Sequence, residues 1–347
     1  MPILFKDQTA EELHASLAPA GVSLRLARQL QAAVIRRGAL PAELPSTSPR
    51  ILARVRELTV VPRLTLVDRV VSGRDGFVKY VFRGDGPDLF EAVGIPLLHR
   101  RDDPKYVVCV SSQVGCAMGC VFCATGRLGF RRNLAAWEMV DQVLQVQADS
   151  PPPVRGAVFM GMGEPLLNYE NVMRAARLLS EPCGLAMAAK AITISTVGIV
   201  AGIRRFTAER LPYRLVVSLT VADPERRRAL MPVEARCPTA DLIAALREYH
   251  AATGQRVILA WTMIAGVNTR EEDARQLAEL TRGLPVKLDL IDVNDPTGRF
   301  RPPSQQELDA FRDALTAHLG QPVARRYSGG QDIHAACGML AGGVAGQ

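Results

Sequence analysis

From about residue 105 the chain repeats a strand–loop–helix rhythm, and that alternation narrows the folds open to it more than any other feature. Short apolar runs near 106–111, 157–162, 191–196, 214–220, 256–264 and 286–293 read as strands. Amphipathic runs near 134–148, 169–180, 199–207, 239–251, 271–282 and 304–318 read as helices. Strands joined by helical crossovers pair in parallel. Six such units are too few for a closed eight-fold barrel and enough for an open one. An α/β fold is therefore expected, a partial (open) six-fold β/α barrel whose functional groups gather at the C-terminal ends of the strands.

Ahead of the barrel two smaller pieces are expected. Residues 1–62 read as a small helical accessory domain, with helices over Ala10–Ala20, Leu24–Arg37 and Ile51–Leu58. Pro41, Pro45 and Pro49 break the pattern between the last two. Residues 63–98 read as a small β extension leading into the core: Leu64–Val71 and Phe77–Phe82 alternate around the turn signal Arg74-Asp-Gly76. The barrel then spans 99–320, and 321–347 adds a strand near Val323–Tyr327, a loop containing Cys337 and a loose tail, Ala341–Gln347.

The first barrel strand runs into Cys116-Ala-Met-Gly-Cys120-Val-Phe-Cys123. Thiolates this close in sequence can converge on one metal centre. A structural zinc site wants four closed ligands, and no fourth Cys or His lies nearby. Three sulfurs on a four-iron cluster leave one iron open to a small chelating ligand. A zinc knuckle or chance clustering are the plain alternatives. The count of seven cysteines, odd and partly clustered, does not suit a secreted disulfide framework. With no signal peptide and no apolar run long enough to cross a bilayer, a cytoplasmic, non-membrane protein is expected. The formal charge of +7 rests almost wholly on arginine, a mild bias toward polyanions such as RNA.

Other strand ends carry polar groups. Gly161-Met-Gly163-Glu164-Pro165 closes the second strand: its glycines allow close backbone approach, and Glu164 can accept from an ammonium, although the same residues also make an ordinary turn. Ser195 and the stretch Ser218-Leu219-Thr220 close the third and fourth, where hydroxyls bond a ribose or carboxylate or cap the next helix. Asn294 closes the sixth, as a nucleoside contact or a turn-former before proline. Cys337 lies in a glycine-flanked loop and reads as a small buried hydrophobe or a reactive thiol, the inert reading being favoured without the cluster motif.

The cysteine pattern resembles the radical SAM superfamily, in which the open iron takes the amino and carboxylate groups of S-adenosylmethionine. The segments Cys109-Val-Ser-Ser-Gln-Val-Gly-Cys116 through Cys123-Ala-Thr-Gly, Gly129-Phe-x-Arg-Asn-Leu134, Gly161-Met-Gly-Glu-Pro-Leu-Leu-Asn168, Thr193-Ile-Ser-Thr-x-Gly198 and Asp332-Ile-x-Ala-Ala-Cys337-Gly make the resemblance narrower. Together they are similar to the RlmN/Cfr family of class A radical SAM RNA methyltransferases, and closest to its dual-specificity RlmN branch.

The resemblance implies a ping-pong methyl transfer to an sp² carbon of adenosine, C2 first, in 23S rRNA with tRNA as an additional candidate. It implies a 4Fe–4S cluster on Cys116, Cys120 and Cys123 with one open iron. Two S-adenosylmethionine molecules are used per turnover, one methylating Cys337 and one yielding the radical that activates that methyl group. Glu91 matches the family's proton acceptor. Cys109 matches the thiol that attacks Cys337, forming a transient disulfide and freeing the methylated base. Gly163, Glu164, Ser195, Ser218, Leu219, Thr220 and Asn294 match the S-adenosylmethionine site. A flavodoxin-like electron donor and a monomeric enzyme are also implied. Two positions depart from the family: Thr220 stands where His is usual, and Asp295 intervenes before Pro296. A relative acting on adenosine C8 or on a non-RNA substrate has the same spacing, and an iron–sulfur or zinc protein that binds RNA without catalysis is the remaining alternative.

Overall fold

The computed structural model describes residues 2–97, 105–150 and 153–342. The chain opens with β1 (Ile3–Leu4), α1 (Ala10–Leu17), α2 (Leu24–Arg37), α3 (Pro49–Leu58) and β2 (Thr59–Val60), which pairs in parallel with β1. Thr9 and Glu12 form a capping box on α1, and Gly38 ends α2 in the left-handed conformation. Leu26, Leu30 and Val34 of α2 meet Leu13, Leu17, Leu52 and Val55 in a small core of their own. The third helix starts two residues before the expected Ile51. Pro49 does not break it but opens it, because the first helical position needs no backbone N–H.

This helical unit docks on the barrel through buried polar groups. Lys6, 2% exposed, pairs with Asp141 at 2.5 Å. The other oxygen of Asp141 accepts from the Leu64 N–H.

The large sheet has ten strands. β3 (Thr65–Val71), β4 (Val78–Arg83) and β5 (Leu89–Pro96) form an antiparallel meander, and β5 pairs antiparallel with β6 (Tyr106–Cys109). The stretch expected only to lead toward the core is thus a full strand that welds the hairpin to the barrel. After β6 come the short hairpin β7 (Gln113–Gly115) and β8 (Phe130–Asn133), with α4 (Ala124–Arg127) between them. Six units follow in the expected order: α5 (Ala136–Asp149) after β6; β9 (Val154–Phe159) with α6 (Tyr169–Ser180); β10 (Ile192–Thr196) with α7 (Val200–Ala208); β11 (Arg214–Ser218) with α8 (Pro224–Leu230) and α9 (Thr239–Thr253); β12 (Val257–Met263) with α10 (Glu271–Leu280); and β13 (Val286–Asp292) with α11 (Gln305–His318). β14 (Val323–Arg326) adds a seventh parallel strand, giving the order β14-β13-β12-β11-β10-β9-β6-β5-β4-β3. β3 and β14 are the two ends of an open barrel.

Each strand is two-faced. On β12, Leu259, Trp261 and Met263 are buried in the core, with Trp261 against Phe311 of α11, while Ala260 and Thr262 line the interior. On β11, Leu215 and Val217 belong to the core, while Val216 and Ser218 line the interior. The barrel is therefore hollow where a closed barrel of this type is filled by side chains.

The boundary expected at 98–99 lies outside the described residues, as do residues 343–347 of the expected loose tail. Ala341 and Gly342, also expected to be loose, are instead held: both backbone N–H groups donate to Glu91. Among the described residues no helix is long and apolar enough to cross a membrane.

Candidate active site

The hollow is a cavity of about 1190 Å³. Cys109, Cys116, Cys120, Cys123, Gly163, Glu164, Ser195, Ser218, Asn294 and Cys337 all line it. Leu219 and Thr220, expected beside them, are fully buried behind this wall.

The three-cysteine loop is fixed by local geometry. The Cys116 N–H donates to the Gly129 carbonyl at 2.9 Å, tying the loop to the β7–β8 hairpin. The Val121 N–H donates to the Leu230 carbonyl at the end of α8. Burial pushes the Cys116 thiol up to about 12, with repulsion from Cys123 and Glu164 adding to it. Burial raises the Cys120 thiol too, reinforced by Cys123 and Cys116. Thiols so desolvated stay protonated at neutral pH unless a metal displaces the protons. Among the described residues no three His, Cys, Asp or Glu side chains stand close enough to share a single ion. Three sulfurs facing one cavity are a donor set that suits a thiolate-bound iron–sulfur cluster.

Cys337 reaches this loop because its own segment is stitched to it. The Ala124 N–H, next to Cys123, donates to the Gly338 carbonyl at 2.7 Å, and Thr125 Oγ1 donates to the Leu340 carbonyl at 2.6 Å. Cys337 is accessible through the cavity and enclosed by protein elsewhere, so one thiol is both reachable and strongly desolvated. Burial, then repulsion from Cys123, pushes it up to about 12. Cys109 at the end of β6 is pushed up to about 12 by burial, with Cys337 as the neighbouring charge. All seven cysteines are free thiols.

Side chains at the other strand ends do two different things. Ser195 and Ser218 face the cavity. Glu164 is turned inward. One oxygen accepts from the Leu166 N–H at 3.0 Å and the other from the Val197 N–H at 2.9 Å, so its carboxylate joins the ends of β9 and β10 while each oxygen keeps a further lone pair on the cavity wall. Burial raises it to about 7 against those bonds. Gly163 has φ +102°, and a Cβ there would stand 2.6 Å from Gln113 Cβ, so only glycine fits. Asn294 is a clamp: its amide nitrogen donates to Ser328 Oγ at 2.8 Å and to the Cys337 carbonyl at 3.3 Å, and its oxygen accepts from Gln331 Nε2 at 2.8 Å. Thr220 holds a left-handed backbone, φ +62°, with its hydroxyl buried and unpartnered, an uncommon state for a β-branched residue. Asp295 folds back onto Thr297 and Phe300 and pairs with Arg127 at 3.5 Å.

Glu91, 1% exposed, does not line the cavity. It sits on β5 one pleat from Val93, which does line it and which lies opposite Cys109. Sequence reasoning missed Gln113, which holds the Glu164 N–H at 2.8 Å, and Lys79, which approaches Glu91. Only the pairing of β4 with β5 brings Lys79 to Glu91, and no sequence signal marked it.

Known proteins resemble this chain over most of its length. The radical SAM superfamily profile matches residues 110–280. A probable RNA methyltransferase from Myxococcus xanthus is 48% identical over 340 residues, 97% of this chain and 93% of its own length. The dual-specificity RNA methyltransferase RlmN of Syntrophobacter fumaroxidans is 41% identical over 342 residues, 98% of each chain. The crystal structure of a radical SAM methyltransferase from Sphaerobacter thermophilus superposes with a TM-score of 0.88 at 38% identity, covering 98% of this chain and 99% of that one. With relatives this similar over nearly its whole length, the chain belongs to the RlmN/Cfr family of radical SAM RNA methyltransferases.

Proposed function

We propose that this enzyme methylates C2 of adenosine in RNA, 23S rRNA first and tRNA as an additional substrate, by a ping-pong route through Cys337. Membership of the family implies a 4Fe–4S cluster and S-adenosylmethionine. Cys116, Cys120 and Cys123 would hold the cluster, leaving one iron without a protein ligand. When bound, these groups supply one-electron chemistry that ordinary displacement cannot, because adenine C2 is electrophilic and repels delivery of a methyl cation.

The chain's own residues supply the rest. Cys337 carries the methyl carbon to the base. Glu91 takes the proton from the adducted ring carbon once the adduct has given up its unpaired electron, which the cluster would take back. The Cys109 thiolate attacks the Cys337 sulfur: the disulfide forms, the sulfur–carbon bond breaks with its electron pair going to the released carbon, and that carbon takes up a proton as the methylated base leaves. Gly163, Glu164, Ser195, Ser218, Leu219, Thr220 and Asn294 form or back the wall that holds S-adenosylmethionine, with Ser195 and Ser218 offering hydroxyls. The cavity exceeds the roughly 300–1,000 Å³ of an ordinary small-molecule pocket. That leaves room for the cofactor and for a base drawn out of its stack, which points to an unpaired loop nucleotide. The enzyme works as a cytoplasmic monomer reduced by a flavodoxin-like donor.

The observation that carries this reading is the meeting of Cys337, Cys109 and the three-cysteine loop in one cavity. The test is nucleoside mass spectrometry of RNA from cells with and without the protein. Loss of 2-methyladenosine supports the reading. Loss of 8-methyladenosine, or no change in RNA, overturns the assigned target. Cys337→Ala abolishes methylation; full activity in that variant would refute the carrier role.

A further inference from the structure

Lys79 is 4% exposed, and among the described residues its one ion-pair partner is Glu91, Nζ to Oε1 at 3.4 Å. An ammonium with so little water is retained only against a negative charge. The sheet register brings this about. Lys79 lies opposite Val93 across β4 and β5, and Val93 lies opposite Cys109 across β5 and β6. Residues directly opposite in an antiparallel pair share a face, so Lys79, Val93 and Cys109 form one row pointing into the barrel, with Glu91 one pleat along.

The second Glu91 oxygen is occupied from another direction. It accepts from the Ala341 N–H at 2.7 Å and the Gly342 N–H at 3.1 Å, four and five residues after Cys337. Among the described residues the other fully buried ion pairs are tighter and sit away from that segment: Lys6–Asp141 and Arg227–Glu234 each close to 2.5 Å.

We propose that Lys79 is a positioning residue for Glu91, holding one carboxylate oxygen so that the other, freed when the 341–342 backbone lifts from it, meets the adducted base. This rests on Glu91 being the proton acceptor. In that step the ring C–H bond breaks, its electron pair stays with the ring, and the proton forms an O–H bond on Glu91. Once the backbone donors leave, Lys79 is the remaining ionic partner that keeps the carboxylate aimed into the barrel.

The experiment follows the two halves of the reaction in reconstituted enzyme, using RNA extracted from cells lacking the protein. Methylation of Cys337 is read by protein mass spectrometry, and decay of the covalent enzyme–RNA adduct by gel retardation. Lys79→Met is expected to slow adduct decay by about 10- to 100-fold relative to its effect on Cys337 methylation, as misplacing a catalytic group by an ångström does. In the Lys79→Met, Glu91→Gln double variant, which leaves no uncompensated buried charge, the lysine change adds nothing to the glutamine change. Equal slowing of both halves by Lys79→Met, or additive effects in the double variant, would overturn the proposal. If Glu91→Gln alone cleared the adduct at the normal rate, the proton-acceptor reading would fail instead. If Glu91→Gln traps the adduct and Lys79→Met does not, that reading stands and the role of Lys79 fails.

Discussion

Replacing Asn294 by Ala tests whether the loop carrying Cys337 is held in place by a side chain at a strand end. Asn294 is 7% exposed and bonds Ser328 Oγ, the Cys337 carbonyl and Gln331 Nε2. Its amide also donates to the Asp292 carbonyl at 3.0 Å, so two N–H groups are shared among three acceptors; at about 1 kcal/mol net per hydrogen bond, truncation costs up to about 3 kcal/mol. The 3.3 Å bond to Cys337 is the weakest of the three. The loop also keeps its bonds to Ala124 and Thr125. A loss of about 1.5–3 kcal/mol therefore falls on local docking rather than on the global fold, raising the open population of the loop roughly 10- to 100-fold. Hydrogen-exchange mass spectrometry reads this as faster exchange across 328–340 with the barrel strands unaffected. The rate of Cys337 methylation should fall in proportion. Unchanged exchange across 328–340 in a folded Asn294→Ala protein would refute the clamp.

Three further outcomes follow from the geometry. Glu164 ionises near 4.5 when unfolded and is held protonated to about 7 when folded, so between those values the folded apoprotein binds more protons. Its stability should fall by about 3 kcal/mol as pH rises through that window and then level off, and Glu164→Gln should flatten that slope in urea titrations. Gly163→Ala forces a Cβ into Gln113 and strains a positive φ, so the urea midpoint should drop by the equivalent of about 3 kcal/mol. Lys6→Met leaves Asp141 buried without its cation. A loss of about 3–5 kcal/mol is expected, with limited proteolysis then cutting first in the N-terminal helices.

The barrel was readable because its signals are local: a strand or helix declares itself within a dozen residues, and the six expected units fall within a few residues of those observed. The short pieces around the cysteine loop were not readable. β7, β8 and α4 each span four residues or fewer and are held by distant partners, such as Cys116 N–H on the Gly129 carbonyl. Among the site residues, placement and use came apart. Glu164 and Asn294 stand on the cavity wall, yet one spends its carboxylate on the Leu166 and Val197 amides and the other spends its amide on the Cys337 loop. Nothing in spacing distinguishes a polar residue that touches a ligand from one that fastens the wall. Lys79 was hidden for a different reason, since only the β4–β5 register brings it to Glu91.

The fastening of the Cys337 segment bears on how one sulfur can serve several partners. On the proposed route it meets a methyl donor, an RNA base and then Cys109. The backbone is pinned from the Cys337 carbonyl onward, by Asn294 at that carbonyl, by Ala124 and Thr125 at Gly338 and Leu340, and by Glu91 at Ala341 and Gly342. All of these bonds fall on backbone groups or on residues other than the Cys337 side chain. The thiol keeps its rotational freedom while its anchor stays fixed, and positive-φ glycines at 338 and 342 let the chain turn sharply on the far side. Each anchor also belongs to a different part of the machinery: the β13 end, the three-cysteine loop and the residue matched to proton transfer. A carrier tied this way can be released from one anchor without losing the others.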